Sequence, residues 1–110
     1  MADRSFLGEF EQMVMAAVLR LGDAAYGAAI VREIEEQTGR EVSGGSLYVT
    51  LDRLEAKGLI TSRMAERSPR RGGRPKRFVR VTPTGLAAVR TGREAMLNLW
   101  RGIEETLEKA

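Results

Sequence analysis

The chain has 110 residues and a net charge of +3; 43% of it is hydrophobic, but only 5% is aromatic. This fits one domain with an aliphatic core. The absence of both cysteine and histidine excludes disulfides, thiolate or imidazole metal ligation, and Cys–His or Ser–His catalysis.

The N-terminus, MADRSFLGEFEQ, is charged and has no signal-peptide core. No apolar run nears the ~20 residues of a membrane span. The expected location is the cytoplasm, with no membrane partner. In the stretch that follows, Leu7, Phe10, Val14, Ala17 and Leu21 recur at steps of three and four, which predicts a helix. Ser5 is its expected N-cap and Gly22 its stop. Phe6, Met13 and Met15 broaden the stripe, as they would if a second subunit also packed there.

A second helix is predicted over DAAYGAAIVREIEEQTGR, with Ile30 and Ile34 inward and Gly39 ending it. The third follows a short turn. Ser43 is its N-cap, Leu47, Leu51 and Leu54 form a narrow buried stripe, and Gly58 fits the left-handed position after it.

Two strands are then expected, LITSRMA and KRFVRV, joined by the Gly/Pro-rich SPRRGGRPKR. Thr82 before Pro83 marks the last helix, expected to run to about Leu107. Its positions 86, 89, 93, 96, 100, 103 and 107 follow a heptad spacing, with Met96, Trp100, Ile103 and Leu107 on the seam of a dimerisation helix.

The expected fold class is mainly α (α+β): a winged helix-turn-helix with a two-stranded β wing and a C-terminal dimerisation helix. Residues 1–82 are expected to form the DNA-binding domain and residues 83–110 the dimerisation helix.

Charge is concentrated in one place. Residues 61–80 hold eight Lys/Arg against one acid, whereas the other ninety hold ten basic and fourteen acidic residues. Such a localised field fits a polyanion. A recognition helix meets DNA through its N-terminal part. Gly44 and Gly45 leave room there for phosphate, Ser46 and Tyr48 can donate to it, and Thr50 and Arg53 can reach base edges. In the wing, Arg67, Arg70, Arg71, Arg74, Lys76 and Arg77 can neutralise phosphates or enter the minor groove. No nucleophile–base pair, phosphate loop or cofactor motif is visible, so no enzyme, cofactor or metal is expected.

The segments AAYGAAIVREIEE, VSGGSLYVTLDRLEAKGLI and RGGRPKRFVRVTPTG together resemble the PadR-like winged-helix transcriptional regulators. The carriers are Tyr26-Gly27, the run Ser43 to Tyr48, Arg53 to Leu59, and Val81 to Gly85. Gly44 and Val49 stand where many members have Pro. The resemblance implies a homodimeric repressor on a near-palindromic operator, with Ser43, Ser46, Tyr48 and Arg53 on DNA. It implies dimerisation through the C-terminal helix and the N-terminal helix, where Leu7 and Phe10 lie. It also implies a small apolar effector beside Trp100, although a Trp that fills the dimer seam is the preferred reading. The alternative is a winged-helix protein-interaction module whose basic loop docks an acidic partner. Such modules tend to expose apolar residues on the third helix, where this chain has Ser, Tyr, Thr and Arg.

Overall fold

The structure, a computed structural model, describes residues 6–65 and 75–110. Ser5 and the wing arginines Arg67, Arg70, Arg71 and Arg74 lie outside these residues. The first helix, α1 (Glu9–Leu21), is capped not by Ser5 but by Gly8. Gly8 has no side chain to offer, and the cap runs in reverse: its N–H donates to Oε1 of Glu11 at 2.9 Å. Val14, Met15, Ala17 and Val18 are buried, and α1 packs against three other helices and the hairpin. It is the central rod of the core.

A 3-10 turn at Gly22–Ala24 leads to α2 (Gly27–Thr38), which Gly39 ends at φ 74. In α3 (Gly44–Ala56), Leu47, Leu51 and Leu54 are fully buried as the spacing predicts. Ser43 caps it, its Oγ accepting from the Ser46 N–H at 3.1 Å. β1 (Ile60–Met64) and β2 (Arg77–Val81) pair antiparallel, with Ile60 opposite Val81 and Met64 opposite Arg77. The expected hairpin has an addition. The Val79 N–H donates to the Ala25 carbonyl at 2.9 Å, and Tyr26 bridges Phe78. The chain before α2 therefore lines the hairpin edge as a one-bridge third strand.

Thr82 caps α4 (Pro83–Trp100) by accepting from the Gly85 N–H at 3.0 Å, and its hydroxyl donates to the Gly58 carbonyl at 2.7 Å. One cap thus ties the start of α4 to the end of α3. Ala88 and Val89 pack against the same core, and Gly92 lies against the Gln12 side chain. Beyond that point α4 leaves the body.

The single long C-terminal helix is a correction. α4 stops at Trp100, Gly102 takes φ 94, and a separate six-residue α5 (Glu104–Lys109) follows. A glycine adopts that φ freely, whereas a residue with a Cβ would be strained there. Ile103 and Leu107 are therefore not on one continuous helix with Met96 and Trp100, and the heptad ladder breaks after Trp100.

Candidate nucleic-acid interface

Helix α3 has two opposite faces. Leu47, Thr50, Leu51 and Leu54 make the inner one. Thr50 is only 4% exposed, so it belongs to the core and not to a base-reading surface. Its spacing of i+3 from Leu47 and i−4 from Leu54 carried that signal. The outer stripe runs through Gly45, Val49, Asp52 and Ala56, all exposed. Ser43 and Ser46 are exposed at the helix start, and the Ser43 hydroxyl donates to Ser46 Oγ at 2.8 Å. A Cβ added to Gly44 or Gly45 would meet no atom within 4 Å. Neither glycine is needed for internal packing.

Tyr48 is half-exposed and leans toward α2, where a Cβ on Gly27 would collide with its hydroxyl. The Tyr-Gly pair that opens α2 therefore has a steric cause: Gly27 makes room for a ring on α3. Arg53 is exposed at the flank of α3 toward α1.

Arg77 departs most from expectation. Nη1 pairs with Asp52 at 2.9 Å, Nη2 with Glu55 at 3.0 Å, and Nε donates to Ser62 Oγ at 3.0 Å. The Ser62 hydroxyl in turn donates to Glu55. With its side chain only 18% exposed, Arg77 is a clamp between β2 and α3 rather than a free phosphate contact. Partial burial works against its charge, but the hydrogen bonds to Asp52 and Glu55 outweigh it and raise its pKa. The bonds from Ser62 and Arg77 lower that of Glu55. The clamp also neutralises acidic groups that would otherwise repel a polyanion.

Lys76 remains exposed, its ammonium 4.2 Å from the centre of the Tyr26 ring. Tyr26 meets Phe78 at 5.5 Å between ring centres, and Arg63 covers Phe78 at 4.8 Å. This cation–aromatic–aromatic–cation stack stiffens the hairpin. The Ala65 N–H bonds the Lys76 carbonyl at 2.8 Å. The open end of the hairpin, from Met64 to Arg77, is thus clamped to the outer side of α3.

Residues 16–91 match the transcriptional regulator PadR-like family. The chain belongs to this family.

Transcriptional regulator Rv3488 of Mycobacterium tuberculosis is 40% identical over 78 residues, covering 71% of this chain and 68% of the relative. A PadR family transcriptional regulator from Eggerthella lenta is 27% identical, with a TM-score of 0.68 and coverage of 93% of this chain and 88% of that one. A PadR family regulator from Clostridium difficile is 26% identical, with a TM-score of 0.62, over 91% of this chain and 96% of that one. The PadR-like fold thus accounts for the helices and hairpin, and PadR-like proteins are transcriptional regulators rather than enzymes. Among the described residues, no helix is long and apolar enough to cross a membrane.

At the far end, Leu97, Leu99 and Trp100 of α4 are exposed, with Ile103 and Leu107 beyond the break. Leu7 and Phe10 are half-buried against the core, and Arg40 stacks on Phe10 at 5.1 Å.

Proposed function

We propose that this PadR-like regulator is a sequence-specific, homodimeric repressor that binds double-stranded DNA. The N-terminal half of α3 enters the major groove, and the wing follows the adjacent backbone. The observation that carries the reading is the Arg77 bridge to Asp52 and Glu55, which sets the hairpin beside the outer face of α3. Ser43, Ser46 and Tyr48 contact phosphate, as do the close-approaching backbone at Gly45 and the free N–H groups of the α3 start. Arg53 reaches the groove from its flank. Arg70, Arg71, Arg74 and Lys76 supply sequence-independent affinity.

The exposed apolar side chains of α4 and α5 support the homodimer. Met96 and Trp100 lie where a second copy can cover them, with Ile103, Leu107, Leu7 and Phe10 at the margins. Trp100, 49% exposed, is also the contact for any flat apolar effector. The deciding experiment is selection of bound duplexes from a random pool by the purified protein. A two-fold symmetric motif is the expected result. A pool that stays random, or an asymmetric motif bound by one subunit, overturns the reading.

A further inference from the structure

Val49 occupies the centre of the outer stripe of α3 and is 58% exposed. It is one turn past Gly45, which has no side chain, so Val49 is the first side chain to rise from that stripe. Nothing internal calls for it. The core lies on the opposite face, and a β-branched residue is only a moderate helix former. Its two methyl groups are held in one rotamer by the helix, which makes a small, rigid apolar knob. The surroundings fix its partner. The free N–H groups of the helix start, the exposed Ser43 and Ser46 hydroxyls, and the exposed Lys76 of the hairpin complement a polyanion. Asp52, the next side chain on the stripe, is already held by Arg77.

An apolar knob in a major groove finds one apolar group on the base edges, the C5-methyl of thymine. Opposite a purine N7, or a cytosine or adenine amino group, it would leave that polar atom without a hydrogen bond. We infer that Val49 reads a thymine methyl, so that one position of the binding site is chosen by an apolar contact. The inference rests on α3 being the groove-reading helix.

The test replaces each thymine of a selected duplex, one at a time, by deoxyuridine, which removes only the methyl. Wild-type protein is expected to lose about fourfold in affinity at one position in each copy of the recognised sequence. Val49→Ala, which keeps a single methyl group, is expected to distinguish thymine from uracil there less than wild type does. If wild type tolerates uracil everywhere, or Val49→Ala shows the same loss at the same position, the inference is overturned while DNA binding stands. If no duplex is selected at all, the DNA reading fails and takes the inference with it. The uracil series uses unaltered protein, so it does not depend on the variant folding.

Discussion

The Arg77 guanidinium lies 2.9 Å from Asp52 across 25 residues of sequence, joining the second strand of the wing to the outer face of α3. The same group also bonds Glu55 and Ser62. A residue that looks like a phosphate contact in the sequence instead holds the wing strand and α3 at a fixed angle.

Arg77→Ala is therefore expected to lower the thermal midpoint by about 3 °C, the scale of a partly exposed ion-pair network in a chain this size. It should also weaken DNA binding while leaving the slope of log affinity against log salt unchanged, because no phosphate contact is removed. A loss of about 0.9 in that slope, read by fluorescence anisotropy across a salt series, would make Arg77 a direct contact. Arg77→Lys should recover little, since an ammonium cannot bond three acceptors in the same plane.

Gly45 and Gly85 are expected to respond in opposite ways to alanine. Gly45 faces open space, so Gly45→Ala should stabilise the fold by about 0.5 kcal/mol and weaken DNA binding. At Gly85 an added methyl would strike the Leu59 carbonyl, part of the backbone where α3 passes into β1. Gly85→Ala should cost about 2 kcal/mol in urea denaturation.

A similar methyl at Gly27 would meet the Tyr48 hydroxyl, the free end of a side chain that can swing away. Gly27→Ala is expected to fold, with a stability loss below about 1 kcal/mol, but to bind DNA several-fold more weakly. In a Tyr48→Ala background the same change should have no further effect on binding. Additive losses in that double-mutant cycle would refute the coupling.

Glu11 offers a pH test. Burial raises its pKa, but the Gly8 N–H and the Lys57 ammonium, 3.0 Å away, outweigh this and hold it below the ordinary value of 4.5. A carboxyl with a depressed folded pKa stabilises the fold above its unfolded value. That contribution is lost as pH falls through the folded pKa. Wild type should therefore lose its stability advantage over Glu11→Gln progressively as pH is lowered below the ordinary value of 4.5. An advantage that stays constant across this range would show that the Glu11 charge contributes nothing.

Trp100→Glu places a charge in the exposed apolar end of α4. It is expected to shift the protein to monomers in sedimentation velocity at micromolar concentration, with the far-ultraviolet circular dichroism preserved. A dimer that survives would move the interface elsewhere.

Signals that act within a few residues were legible. Ser43 and Thr82 cap where they are expected to, because a cap is a hydrogen bond spanning three residues. Leu47, Leu51 and Leu54 bury together because helical period alone aligns them. Two further local signals lie in the same segments. Thr50 shares the inner spacing of those leucines despite its hydroxyl, and Gly102 interrupts an otherwise regular heptad.

Composition and periodicity alone determined the order of the first four helices, the position of the hairpin and the placing of the charge. Only the tertiary structure decided that Arg77 is spent on a clamp, that Gly27 leaves room for the Tyr48 ring, and where α4 leaves its core. Capping and periodicity are set by the nearest few residues along the chain. An ion pair between Asp52 and Arg77, or a ring from α3 resting on α2, exists only once packing has brought distant segments within a few ångströms.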